Sequence, residues 1–300
     1  MSVSFTHVIN PFRAKPGSEH ARASDVTWRT LDAAIAQARI NQIEVDLCAA
    51  ILPGDEEAVV ARSARTVRLT RTVQDVASLA PVRHFPLIAD ILSSGAAAST
   101  HSHLIYSNMD IAVQPQFYVA LAEILRHRVP AGASLAVSRI NIDAALWDRE
   151  LHEMYAADGD QGVGYDCFVI PREVVGRLDL GHCCIGAAHF DYLLFIELDV
   201  LSDGGVRLFD NERLTFHLGN DIAWSAMLDY VEHNLAECMS CIARIRERCT
   251  IFPGGVFDRV DRNHFRRNAR LTSRMLRGLR RLPAVGRLVL AGKRLLKRQY

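Results

Sequence analysis

Short apolar runs that stop at polar, Pro- or Gly-containing turns alternate along this chain with stretches whose apolar residues recur at helical spacing, and that alternation leaves few architectures open. It favours an α/β fold. His7-Val-Ile-Asn-Pro11 reads as a first strand ending in a turn, and Val26 to Ala38 as a helix with Leu31, Ala34, Ile35 and Ala38 on one face, capped by Ser24 or Asp25. Glu44 to Ile51 reads as a second strand, closed by Pro53-Gly54-Asp55. A helix over Pro86 to Ala97, a strand at Leu104, a helix over Gln116 to Arg126, and strands over Leu135 to Asn141 and Tyr165 to Ile170 follow. Helices over Asp191 to Glu197 and Ile222 to Glu247 close the body.

Ligands of open α/β sheets collect outside the carboxyl ends of the strands. Asn108-Met109-Asp110 stands at such an end, with a second apolar run starting at once. A carboxylate between Met109 and Ile111 is costly to leave unpaired near a core. Either a cation or hydrogen-bond donors accompany Asp110, or it closes a turn and caps the helix near Gln116.

Three hundred residues with 49% hydrophobic content suffice for one large α/β domain or two small ones. No window approaches the ~18 consecutive apolar residues of a membrane span, and the N-terminus has no signal-peptide pattern, which points to the cytoplasm. The seven cysteines are odd in number and scattered, as suits reduced thiols. Cys238 and Cys241 read as core-facing residues one helical turn apart rather than a metal pair. The formal charge of +1 hides an asymmetry: thirteen Lys or Arg and no acid lie between Arg262 and Tyr300, leaving 22 basic against 34 acidic residues before them, a net −12. P-loop, dinucleotide-binding, hydrolase-elbow and zincin motifs are all missing from the sequence.

Tyr106-Ser-Asn-Met-Asp-Ile111 resembles the strand-end DxD motif of GT-A-fold glycosyltransferases, in a relaxed form with Asn first. Other segments resemble the same group in the same chain order. His7-Val-Ile-Asn-Pro-Phe12 is similar to the strand and loop that receive the nucleotide base, and Thr27 to Ala34 to the helix after it. Ser138-Arg-Ile-Asn141 is similar to the strand after the DxD-like helix, and Gly164-Tyr-Asp-Cys-Phe-Val-Ile-Pro-Arg172 to a GYDxFVxPR-type segment. Ile185 to Asp191 resembles an IGxxxWD-type segment, and Phe216 to Trp224 a closing His-rich segment. Together they span about residues 5 to 225.

The resemblance implies a GT-A-like nucleotide-diphospho-sugar transferase fold, with a mixed central sheet flanked by helices over residues 1–258 and a basic amphipathic helical extension over 259–300. It implies a nucleotide-sugar donor, a glycan or lipid-linked acceptor, and a divalent metal, Mn or Mg. Asp110 is then a metal ligand together with His217 and Asp221, if these last two share a loop; on a helix they would be a surface pair. Asn10, Pro11, Asn108 and Arg139 face the donor, and Asp166 shapes the acceptor side or else serves a turn. Asp191 is the candidate general base, or else a first-turn acid of a helix, with His189 as its partner. The single carboxylate of the triplet also admits a catalytically silent, membrane-tethered binding or scaffold protein.

Leu271, Met275, Leu279 and Leu282 recur at helical spacing among the arginines of the extension. This pattern fits an anionic membrane surface better than nucleic acid, because only Phe265 and Tyr300 could stack on bases. It implies a peripheral protein on the inner face of the membrane, unless the extension is a solvated arm or a helix packed on the acidic body.

Overall fold

The computed structural model describes residues 3–162, 165–219, 227–250 and 255–266. The chain forms two units, Met1–Thr250 and Ile251–Tyr300. In the first, β1 (Phe5–Ile9), α1 (Glu19–Ile40), β2 (Val45–Ile51), β3 (Arg65–Arg68), α2 (Ile88–Ala98) and β4 (His103–Ser107) lead to β5 (Ala112–Val113) and α3 (Phe117–His127). After them come β6 (Ser134–Val137), β7 (Arg139–Ile142), α4 (Leu151–Ala156), β8 (Gly159–Gln161), β9 (Cys167–Pro171) and α5 (Arg172–Val175). The unit ends with α6 (Phe190–Leu201), β10 (Val206–Phe209), β11 (Thr215–Leu218) and α7 (Leu228–Arg248). In the second unit, α8 (Val256–Val260) continues as a π-helical turn, Asp261–Arg266.

Seven strands form a mixed sheet in the order β10-β6-β9-β4-β1-β2-β3, and four form a small sheet, β5-β11-β7-β8. β1 runs parallel to both β2 and β4, whereas β9 is antiparallel to β4 and β6. The chain leaves β1 toward β2 and β3 on one side and returns to β4 on the other. A topological switch point therefore lies outside the carboxyl ends of β1 and β4, where ligands of such sheets bind. Asn10 and Asn108 follow directly on those two ends.

Every residue of β1 is buried, as are the last five of β2 and the last four of β4. Phe5, Ile9 and Ile105 pack with Trp28 and Leu31 of α1 and with Phe117 and Leu121 of α3. Each such side chain contributes roughly 1.5–3 kcal/mol. On the opposite face α2 lies close enough that a Cβ on Gly95 would stand 2.8 Å from Val8 Cβ, so only glycine allows this approach. His7 is fully buried, its Nδ1 2.8 Å from the Tyr118 hydroxyl and its Nε2 2.9 Å from that of Ser107. Burial pushes its pKa down to about 3, so a neutral ring ties β1, β4 and α3 together.

The expected α/β class, mixed central sheet and flanking helices are observed, with four local corrections. Helix α1 starts at Glu19, not Val26, because Ser18 accepts a hydrogen bond from the Ala21 N–H (3.2 Å) and fixes the start upstream of Ser24 and Asp25. The single strand expected over Leu135 to Asn141 breaks at Ser138, whose N–H donates to the Phe209 carbonyl; β6 stays in the large sheet and β7 enters the small one. His217 lies on β11, in neither a loop nor a helix. The last helix of the body starts at Leu228 behind Met227 as N-cap residue, and its expected start, Ile222, lies outside the described residues. Asp221, Trp224 and the apolar stripe from Leu271 onward lie outside the described residues, among which no helix is long and apolar enough to cross a membrane.

Candidate active site

The turn after β4 is closed by the Ile111 N–H donating to the Asn108 carbonyl (3.1 Å). β5 then pairs antiparallel with β11, Ala112 opposite Phe216. That register brings His217 beside Asp110, with His217 Nε2 3.5 Å from Asp110 Oδ2. Asp110 keeps 42% of its side chain exposed, although protein surrounds it, while the imidazole is 7% exposed. His217 Nδ1 lies 3.0 Å from the Gly219 carbonyl, an acceptor, so Nδ1 must carry the hydrogen. A neutral ring then turns the lone pair of Nε2 toward a carboxylate oxygen. Two acceptors facing each other at 3.5 Å need a cation between them, either a proton on the ring or a metal ion. Asp110 does not cap α3, which starts after Gln116 without a side-chain cap.

Asn108 is held on every side. Its Oδ1 accepts from the Tyr106 hydroxyl (2.7 Å), its Nδ2 donates to Asp166 Oδ1 (3.0 Å) and its backbone N–H donates to the Asp166 carbonyl (3.2 Å). The other Asp166 oxygen accepts from Arg139, whose Nε donates to Asn141 Oδ1 two residues along the same face of β7 (2.9 Å). This ion pair is 13% and 16% exposed. Asn10 spends its amide N–H on the Ala50 carbonyl (2.5 Å), tying the end of β1 to that of β2, and Pro11 is buried beside it.

Asp191 is the second residue of α6, behind His189 as N-cap residue. Its Oδ2 accepts from the Tyr165 N–H at 3.4 Å. His189 is 7% exposed and has a left-handed backbone (φ 89°), uncommon for a residue with a Cβ. The first-turn reading of Asp191 therefore holds geometrically.

The five ionisable groups differ in charge preference. For Asp110, burial acts to raise the pKa, but the hydrogen bond and charge of His217, with Arg139 behind, outweigh it and hold the group below the usual carboxylate range. His217 is raised in turn, because the Asp110 hydrogen bond and charge overcome its burial. Asp166 is raised by burial, with Arg139 opposing. Asp191 is pushed up to about 7 by burial and then by the Asp166 charge. Burial takes His189 down to about 4, so its ring is neutral at pH 7.

Among the described residues, no three His, Cys, Asp or Glu side chains cluster as a metal would require of protein ligands alone. Two open clefts, of about 460 and 400 Å³, lie elsewhere, one against Asp32 and Arg65, the other against Arg22 and Trp147. Neither is lined by Asp110, Asp166, Asp191 or His217. Sequence reading missed Tyr106 and Asn141, whose only signal was a polar group two residues from a singled-out position on the same strand face.

No protein-family model and no curated protein matches the chain. The chain is similar to the solved structure of Staphylococcus aureus TarS 1-349 in complex with UDP-GlcNAc, at 8% identity and TM-score 0.49, covering 81% of this chain and 66% of that one. It is also similar to mannosyl-3-phosphoglycerate synthase from Rubrobacter xylanophilus (13% identity, TM-score 0.48, 85% and 78% covered). A third similar structure is Mycobacterium tuberculosis glucosyl-3-phosphoglycerate synthase in complex with Mn2+, UDP-glucose and phosphoglyceric acid (16% identity, TM-score 0.47, 79% and 80% covered).

Proposed function

We propose that the chain is a glycosyltransferase that moves a sugar from a nucleotide-diphosphate-sugar donor to a hydroxyl of a glycan or lipid-linked acceptor. The observation that carries this reading is the Asp110–His217 pair at the switch-point crevice. Asp110 and His217 would hold a divalent cation, Mn or Mg, through a carboxylate oxygen and an imidazole nitrogen. Asp221 is proposed as a further ligand from the sequence resemblance. When bound, such a cation would neutralise the charge that develops on the departing nucleoside diphosphate.

The residues of the chain supply the rest. Asn10 and Pro11, ending β1, border the nucleotide side. Arg139 and Asn108 brace Asp166, so the wall between Asp110 and Asp191 keeps a fixed shape. Asp191 accepts the proton of the acceptor hydroxyl; a base whose pKa is about 7 is ionised often enough near neutral pH and still binds the proton well. His189 turns the chain into α6, and its ring stays neutral. The basic, leucine-bearing extension is proposed to hold the enzyme on the anionic inner face of the membrane, next to a lipid-linked acceptor.

The test is a thermal-shift screen of nucleotide-sugars with Mn2+, followed by donor hydrolysis in the absence of acceptor. A donor that stabilises the parent should be hydrolysed faster with Mn2+, and Asp110→Asn should abolish the metal dependence with its melting temperature retained. Equal nucleoside-diphosphate affinity of Asp110→Asn and parent in Mn2+ would rule out the metal role. If no nucleotide-sugar binds at all, the donor class is wrong.

A further inference from the structure

We infer that Asn234, on the buried face of α7, is the positioning residue that sets the Asp191 carboxylate at the mouth of α6. The inference rests on the proposed role of Asp191 as base. Asn234 is fully buried, and its side chain spends every bond on one short stretch of the loop before α6. Its Oδ1 accepts from the Cys184 N–H (2.9 Å). Its Nδ2 faces the carbonyls of Cys184 (2.9 Å), Ala188 (3.1 Å) and Ala187 (3.4 Å), two hydrogens serving three acceptors. One amide thus does for this loop what a neighbouring strand does for an edge, and it comes from a helix fifty residues downstream.

The stretch needs such a clamp because it is twice forced out of ordinary backbone. Gly186 has φ 77° and His189 φ 89°. For His189 that conformation is unfavourable and persists only where the surroundings over-determine it. Asn234 holds the peptide group before His189, through the Ala188 carbonyl. One turn on, the thiol of Cys238 lies 3.6 Å from the His189 carbonyl. α7 therefore grips both sides of the strained residue. Two residues later the chain presents Asp191, whose carboxylate meets the Tyr165 N–H, with Asp166, Tyr106, Tyr192, Cys238 and the Tyr165 phenol as its other polar or charged neighbours. Without the Asn234 bonds, His189 can relax to an ordinary backbone, the first turn of α6 frays, and the carboxylate swings toward water.

The probe is the ionisation of Asp191 in the full chain, followed by carbon-detected NMR titration of its carboxyl group. In the parent the midpoint should fall near 7. In Asn234→Ala it should fall by at least one pH unit as the group becomes hydrated, while the affinity for UDP in Mn2+ stays within about twofold of the parent. A merely structural asparagine would leave the midpoint unmoved, and that result overturns the inference. Where Asn234→Ala is not recovered folded, Asn234→Ser, which keeps one donor and one acceptor, is read in the same way. Hydrolysis of UDP-glucose gives the second arm: Asn234→Ala combined with Asp191→Asn should be no slower than Asp191→Asn alone. If the two losses multiply, Asn234 acts by another route and the inference is wrong. If Asp191→Asn hydrolyses donor at the parental rate, the base assignment fails, and the titration still decides whether Asn234 positions that carboxylate.

Discussion

Replacing Asn108 with Asp would restore a full DxD triplet, and the structure predicts that it harms the protein. The Nδ2 of Asn108 lies 3.0 Å from Asp166 Oδ1, in a pair whose acid is only 16% exposed. A carboxylate oxygen in its place would face another at that distance, a repulsion of roughly 5 kcal/mol at an effective dielectric constant of about 20. Taking up a proton is cheaper. It restores an O–H···O bond at a cost, for an ordinary Asp at pH 7, of about 4 kcal/mol, falling by about 1.4 kcal/mol per pH unit below that. With Arg139 already beside Asp166, the expected loss of stability is about 2–4 kcal/mol at pH 7 and close to nothing at pH 4. Urea unfolding of parent and Asn108→Asp at pH 7 and pH 5 measures it. Asn108→Ala separates charge from bracing, since it loses hydrogen bonds worth about 1–2 kcal/mol with no such pH slope. An Asn108→Asp protein as stable as the parent at pH 7, with tighter Mn2+-dependent nucleotide binding, would show that residue 108 serves the metal and not the wall.

Asp191→Asn should slow donor hydrolysis ~10²- to 10⁴-fold, and the parental rate should rise with pH up to about 7 as the base ionises. The folded pKa of Asp191 lies above its unfolded value, so its stabilising effect is complete below about pH 4 and lost as pH rises to 7. The variant should therefore melt higher than the parent at pH 8, which calorimetry would detect. Glu197 is fully buried, with Oε1 2.5 Å from an Arg248 nitrogen and its pKa pushed up to about 7 by burial against the opposing Arg248 charge. Arg248→Met should cost about 1.4 kcal/mol more at pH 8 than at pH 5, because the stranded carboxylate takes up a proton and the charge penalty cannot exceed the cost of protonating it one pH unit above 7; equal losses at both pH values would mean that the pair is not what holds α6 to α7. A chain ending at Asp261 should stay folded, hydrolyse donor, and fail to cosediment with phosphatidylserine vesicles. Unfolding of the truncated protein would instead make the extension a packed element.

What the sequence revealed of the fold follows from where side chains carry the information. β1, β2 and β4 are central strands with largely buried runs, and their apolar residues announced them. β3 reads Arg-Thr-Val-Arg and β8 Gly-Asp-Gln, with no residue of either buried. Such edge strands exist because a neighbour offers backbone partners, which no periodicity in their own side chains records. The break at Ser138 was hidden for a similar reason: Leu135 to Asn141 is continuous as a pattern, and only the departure of β7 to pair with β8 and β11 divides it.

The candidate site divides along the same line. That Asn108 and Asp110 stand at a strand end could be read from local order, because the end of an apolar run is a local property. What each does there could not, because it depends on partners 58 and 107 positions away: Asp166 for Asn108, His217 for Asp110. The two residues of the triplet look equivalent in sequence and are opposites in space. Asn108 spends one acceptor site and one N–H of its amide on protein, which fixes the group in place, and it carries no charge. Asp110 faces the His217 ring with 42% of its side chain open, so its charge is met by a proton on that ring or by the cation proposed above. An amide is the right group for the first position, where a donor must meet Asp166 and an acceptor must meet Tyr106. A carboxylate suits the second, where its negative charge meets the His217 ring. Asn in the triplet is therefore what the wall of this crevice requires, and the metal-binding capacity proposed for the site moves to the pairing of β5 with β11, which brings His217 in.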